Sequence, residues 1–396
     1  MLEVSISNPN LSRSNLDERL ENRKFPYDSG VWLYKEFINQ LVPNKMIVSR
    51  REGDTNLYMH KNVSGFAGVK QLYLKHEGEN PTGSFKDRGM TVGISEAVRL
   101  HCKVVCCAST GNTSASLASY AALAGLNAVV FIPNGEIAYG KLAQTLAYGA
   151  KVLQIRGNFD DAMRLIQEAC GRLNMYMLNS INPWRIEGQK TIALELIQQL
   201  RWESPDWIAL PAGNLGNTSA IGKALSEMKE FGLIKKVPKI AAIQSEGANP
   251  FYRLWKSGGS DLVKIDHPDT LASAIKIGNP VSWKKALKAI KSSKGTVEQV
   301  SDQEILDAKA VIDSSGIGCE PASAASLAGV KKLRERGVIE KDEKVVCILT
   351  GNILKDTTTT IDYHLNKLAA IKPSRMNPPI EVDGDPDKII KLLEHK

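Results

Sequence analysis

From about residue 104 the chain alternates short, continuous apolar runs with amphipathic stretches. VVCCAS (104–109), NAVVFIP (127–133), KVLQI (151–155) and MYMLN (175–179) have the unbroken hydrophobic character of strands buried on both faces. Between them, TSASLASYAALAG, GKLAQTLAYG and NFDDAMRLIQEACGRL (158–173) have helical periodicity. The pattern continues with a helix over EGQKTIALELIQQL, a strand WIALPA (207–212), a helix from about 217 and a strand KIAAIQS (239–245). SDQE (301–304) is a capping box that opens a helix to about Ser314, followed by a helix over 321–336 and a strand KVVCILT (344–350). Buried strands joined by helices of this length pair in parallel through right-handed crossovers. The expected fold is therefore α/β, with two doubly wound parallel-sheet units and ligands at the carboxyl ends of the strands. The first thirty residues and the segment from about 371, rich in Pro and charge, read as arms or partly mobile ends.

One segment has a competing reading. Residues 114–133 hold no charge over the length of a membrane span. The Gly125-Leu126-Asn127 break and the β-branched run ending at Pro133 predict a buried helix, a turn and a strand instead. The N-terminus lacks the apolar core of a signal peptide. At 396 residues the chain exceeds one hydrophobic core and suits two domains. The net charge of +8 comes from basic residues spread through amphipathic segments such as 282–294 and 328–337, with no interleaved aromatics for base stacking. No nucleic-acid partner is expected. Six cysteines show no CxxC pair, and Cys106 and Cys107 lie in an apolar run as small core hydrophobes. A reduced, cytoplasmic protein without a structural metal follows from that pattern.

Three Gly- and hydroxyl-rich loops carry the candidate chemistry. NPTGSFKDRGM (80–90) holds Lys86 at a helix start in partly apolar surroundings, where a lysine loses basicity and becomes a nucleophilic amine. STGNTSAS (109–116) places hydroxyls, the Asn112 amide and unpaired N–H groups at a helix N-terminus, which suits a carboxylate or phosphate. PAGNLGNTSA (211–220) can form an N–H nest around a phosphate. Singly, each has a plainer reading: a tight turn, or a surface lysine. Together they describe a site for a phosphorylated aldehyde and an amino acid.

In this order and separation, SFKDRG, STGNTSAS and PAGNLGN resemble the fold-type II pyridoxal-phosphate enzymes, the tryptophan synthase β group. The longer blocks 75–90, 245–255, 272–280, 319–329 and 349–356 resemble the threonine synthase branch of that group. The resemblance implies pyridoxal 5'-phosphate as cofactor, with Lys86 as its Schiff-base lysine and Asn112 beside its phenolic oxygen. It implies Gly213, Asn214, Leu215, Gly216 and Asn217 around the cofactor phosphate, and Thr350 facing the pyridine nitrogen. A neutral hydroxyl there implies a poorly protonated nitrogen. Ser109, Thr110 and Thr113 would take the substrate carboxylate, and Asn179, Ser180 and Arg185 the substrate phosphate. The implied reaction turns O-phospho-L-homoserine and water into L-threonine and phosphate, in a homodimer that meets neither membrane nor nucleic acid. The implied division is an arm (1–30), a large cofactor-binding domain (31–80 plus 181–370), a smaller α/β domain (81–180) and a tail (371–396).

Two alternatives remain open at this point: a threonine or serine dehydratase, for which Arg185 would have no use, and a silent relative, which would not need Lys86. EGDTNL (52–57) and LTGN (349–352) depart from the branch's usual EGNTPL and LTGHG. Glu320, at a predicted helix start, reads either as a dipole partner or as a neighbour of the cofactor ring.

Overall fold

The computed structural model describes residues 3–7, 9–133, 139–155, 166, 168–382 and 384–394. Among them ten strands form two sheets. The larger has the order β1 (Leu57–Tyr58), β2 (Gln71–His76), β10 (Lys344–Leu349), β7 (Trp207–Pro211), β8 (Lys239–Ser245), β9 (Thr296–Val300). All its pairings are parallel except the β1 edge. The smaller, wholly parallel, has the order β5 (Lys151–Ile155), β4 (Asn127–Pro133), β3 (Val104–Ala108), β6 (Tyr176–Met177).

Both sheets are covered on both sides, which is why most of their strands, β2 and β9 apart, read as continuous apolar runs. Along the large sheet, Ile208, Leu210, Ile240, Ala242, Val346 and Ile348 enter one core, while Trp207, Ala209, Ala241, Ile243, Val345 and Cys347 enter the opposite one. The small sheet divides likewise, with Val105, Cys107, Val130 and Ile132 on one face and Cys106 and Phe131 on the other. The uncharged stretch resolves into the helix Asn112–Leu123, a turn at Gly125 with φ +66°, and β4. Among the described residues no helix is long and apolar enough to cross a membrane. The capping box forms at Ser301 and Glu304 and opens the helix Asp302–Ser314. Of the helix expected over 158–173, residues 158–165 and 167 lie outside the described residues.

The N-terminal segment, read above as an arm or partly mobile end, packs onto the body of the protein. Ser12 caps a helix over Arg13–Glu21 whose Leu16 is fully buried in the main core. Asp17 accepts hydrogen bonds from Gln198 Nε2 and Trp202 Nε1, and Lys223 Nζ donates to the Val4 carbonyl. At the other end, the helix Pro386–Glu394 buries no residue.

Candidate active site

The loops that leave β2, β10 and β7, neighbours in the large sheet, converge with those that leave β3 and β6 in the small one. This is the crevice at the carboxyl ends of strands where doubly wound sheets hold ligands. Lys86 is the first residue of the helix Lys86–Arg99. Its approach is fixed by Gly83 at φ +84°, a bridge between Ser84 and Gly351, and a hydrogen bond from Phe85 N to the Thr350 carbonyl. The Lys86 Nζ lies 4.1 Å from the centre of the Phe85 ring. The side chain is half-buried and ringed by protein. That burial, with Arg185 nearby and only Glu320 opposing, pulls its pKa down to about 7.

Opposite it, Glu320 receives the Asn112 Nδ2 at 3.0 Å and the Thr350 Oγ1 at 3.1 Å. Thr350 Oγ1 is also 3.0 Å from Ser323 Oγ. Asn112 and Thr350, distant in sequence and placed after strands of different sheets, are thus brought to one carboxylate. Burial pushes the Glu320 pKa up, while Asn112 and Thr350 pull it down.

The loop after β7 ends at Leu215, which adopts a left-handed φ of +63° and opens the helix Gly216–Glu230. A leucine in that region is uncommon and turns the loop sharply under the helix N-terminus. Both polar atoms of the Asn217 side chain and the Thr218 Oγ1 are buried without a hydrogen-bond partner. Asn214 behaves differently: its Oδ1 accepts from Val281 N at 3.2 Å, which ties the loop to the next segment.

Arg185 belongs to a short helix, Pro183–Gln189, started by Pro183 at its first position and by Asn182, whose side chain accepts from Trp184 N. Gly188 lets this helix approach the Lys86 helix closely, since a Cβ there would stand 1.9 Å from the Arg88 carbonyl oxygen. The Arg185 guanidinium is buried; Nη1 donates to the Leu178 carbonyl at 3.0 Å, but Nε and Nη2 have no partner. Burial lowers its pKa to about 10, so it remains a cation at neutral pH. Unpaired buried donors cost about 1–3 kcal/mol each unless a ligand meets them.

The remaining expected residues surround this centre. Ser109 and Thr110, in the loop after β3, and Thr113, in the first turn of the helix Asn112–Leu123, are half-buried, and Ser109 Oγ accepts from Gly111 N. Asn179 and Ser180 are half-buried after β6; Asn179 Oδ1 accepts from Ala108 N, which pins the ends of β3 and β6 together. Cys319 is buried within the core of the large sheet. Several residues that sequence reasoning missed support the site from behind. Asp87 accepts from Thr82 N, Thr82 Oγ1 and Ser116 Oγ, and burial raises its pKa to about 6. Arg88 pairs with Glu77 at 2.6 Å and Glu195 at 2.8 Å, and Glu195 also holds Lys75. The four charges are buried behind the Lys86 helix.

Residues 48–351 match the family model described as pyridoxal-phosphate dependent enzyme. The chain is 46% identical to the threonine synthase of Methanocaldococcus jannaschii over 395 residues, covering all of this chain and 93% of that one. It is 52% identical to the threonine synthase of Methanosarcina acetivorans over 334 residues, covering 84% of this chain and 82% of the other. The chain belongs to the threonine synthase branch of the pyridoxal-phosphate dependent enzymes. A solved structure of the processed form of threonine deaminase isoform 2 from Solanum lycopersicum has the same fold, with a TM-score of 0.68 over 81% of this chain and 84% of that one, at 22% identity.

The cofactor of this family is pyridoxal phosphate, and the residues present fit it. The unpartnered Asn217 and Thr218 groups at the start of the helix Gly216–Glu230 are buried polar atoms that a bound phosphate would satisfy. Lys86, its pKa lowered to about 7, is the kind of weakly basic amine that an aldehyde would take.

Proposed function

We propose that this protein is a threonine synthase that converts O-phospho-L-homoserine and water into L-threonine and inorganic phosphate. The observation that carries the reading is Arg185: a buried guanidinium beside the reactive lysine with Nε and Nη2 unpaired. Two parallel N–H groups match a phosphate fork to fork. The 46% identity to a threonine synthase supports it along the whole chain.

Pyridoxal phosphate, when bound, supplies an electron sink for the carbon from which a proton is removed. The chain's own residues do the rest. Lys86 Nζ, depressed to about 7, is deprotonated in a useful fraction at neutral pH and moves the protons at Cα and its neighbours. Ser109, Thr110 and Thr113 hold the α-carboxylate at the helix N-terminus. Arg185, with Asn179 and Ser180, holds the phosphate and meets the charge that grows on it as the Cγ–O bond breaks. Water then forms the new C–O bond at Cβ, and a proton is delivered to Cγ. A dehydratase has no phosphate to match the free donors of Arg185.

The two sheets support a division into a large domain (31–80 plus 181–370) and a smaller one (81–180). On the family resemblance we read the protein as a cytoplasmic homodimer, which sedimentation velocity tests. The activity test is phosphate release from O-phospho-L-homoserine coupled to threonine detection; release without threonine overturns the reading.

A further inference from the structure

Two cysteines that stand 64 residues apart in sequence meet beside the smaller sheet. Cys106 Sγ, in β3, and Cys170 Sγ, in the helical stretch 168–173, lie 3.2 Å apart, close enough for one thiol to donate to the other. Both backbones are held in place. Leu178 N donates to the Cys106 carbonyl at 2.8 Å, next to the pairing of β3 with β6, and Met175 N donates to the Cys170 carbonyl at 3.2 Å. Ala108, Phe131 and Ile166 share their apolar pocket. Cys107, the next residue of the strand, joins the core on the opposite face.

The spacing suits a bond between the sulfurs rather than a shared metal. Two thiolates at about 2.3 Å from one tetrahedral zinc ion stand about 3.8 Å apart. Among the described residues no group of three or more metal-ligating side chains occurs. A disulfide needs the two sulfurs about 1.2 Å closer, at about 2.0 Å, which side-chain rotation can supply. The two thiols differ in access. Cys106 is fully buried, and burial, followed by the contact with Cys170, pushes its thiol well above the ordinary range. Cys170 is half-buried, so a reagent in solution meets it first.

We propose that Cys106 and Cys170 are a redox-active dithiol, a modification site that a low-molecular-weight disulfide converts into a protein disulfide. The Cys170 thiolate attacks one sulfur of the small disulfide, forming a mixed disulfide and releasing one thiolate. Cys106 Sγ then attacks Cys170 Sγ, and the second thiolate departs with the Cys106 proton. The two protein thiols lose two electrons, and the small disulfide is reduced to two thiols. In a reducing compartment the pair stays open, and it closes as small disulfides accumulate. The new bond ties β3, which leads to Ser109 and Thr110, to the helix that leads through β6 to Asn179. Neither cysteine is among the residues assigned to cofactor or substrate, so this chemistry stands apart from the reaction proposed above.

The test incubates the full-length protein with millimolar oxidised glutathione at mildly alkaline pH and maps its peptides by mass spectrometry without reduction. The peptides that hold Cys106 and Cys170 should be joined in most molecules, and dithiothreitol should separate them. In Cys106→Ala the reaction should stop at Cys170 carrying one bound glutathione, with no joined peptides. A link that survives Cys106→Ala belongs to Cys107 and overturns the proposal. Cys170→Ala, at a half-buried position, should keep the fold and lose the link; a link retained there also overturns it. Closing a loop of this length should raise the Tm of the oxidised wild type by about 3 °C or more over the reduced protein, and neither variant should show the rise. Wild-type protein that stays unlinked, or that links only with a fall in Tm, overturns the proposal.

Discussion

Replacing Arg185 by alanine removes the guanidinium that the proposed mechanism sets against the substrate phosphate. Of its donors, one faces the Leu178 carbonyl, and the buried Nε and Nη2 are free. A hydrogen bond to a charged group contributes about 1.5–3 kcal/mol, and truncating one partner of a buried charged pair costs about 2–5 kcal/mol, which together set the loss at about 3–5 kcal/mol. On that arithmetic kcat/KM for O-phospho-L-homoserine falls roughly 150-fold to several thousand-fold. Part of the loss belongs in kcat, because the phosphate gains charge as it leaves. Arg185→Lys should recover only a fraction, since a point charge cannot reproduce the fork. Cofactor affinity should stay within about threefold of wild type, because the cofactor phosphate has its own cradle around Asn217. The assay is steady-state phosphate release on purified variants, with cofactor binding followed by absorbance. Near-wild-type kcat/KM in Arg185→Ala would refute the placement of the substrate phosphate and reopen the dehydratase reading.

Other expectations concern the lysine, the cofactor cradle and the buried charges. Lys86→Ala should abolish turnover and the borohydride-stable attachment of cofactor while leaving the protein folded; attachment that survives would assign another lysine. With the Lys86 pKa lowered to about 7, capture of pyridoxal phosphate by stripped protein should accelerate from about pH 6 to about pH 8 and then level off. A rise continuing toward pH 10 would indicate an ordinary lysine. Asn217→Asp puts a charge beside the proposed cofactor phosphate and should weaken cofactor binding by about tenfold or more, read by fluorescence titration; unchanged affinity would remove Asn217 from the cradle. Glu195→Gln leaves Arg88 and Lys75 undercompensated and should cost about 3–5 kcal/mol in urea unfolding. Burial alone would raise the Glu195 pKa, but Arg88 and Lys75 outweigh it and hold the carboxyl well below its usual range. The native state thus binds that proton less readily than the unfolded chain, and wild-type stability should fall as pH drops below about 4. The variant should lack that part of the slope.

The elements that the sequence made legible are those whose signal is local. β3, β4, β5 and β7 are apolar runs, the Ser301 box caps its helix, and each candidate loop sits at a strand end. β2 and β9 were not legible. QLYLKH ends in Lys75 and His76, and TVEQV contains Glu298, all buried; polar residues break the hydrophobic pattern. They are tolerated because partners far along the chain, Glu195 for Lys75 and Arg336 for Glu298, satisfy them. The same long-range pairing hid Asp87 and Arg88, which in sequence are merely two charges in a helix's first turn. Glu320 shows the limit most clearly. Its position at a helix start suggests a dipole partner, but the cap bond is missing, and its carboxylate serves Asn112 and Thr350 instead.

The central claim is tested most directly by incubating the cofactor-loaded protein with O-phospho-L-homoserine in 18O-labelled water. Cleavage of the Cγ–O bond with water added at Cβ should yield equimolar threonine and phosphate, with the label in the threonine hydroxyl and none in the phosphate. Labelled phosphate with homoserine, or a 2-oxo acid with ammonia in place of threonine, would contradict the account.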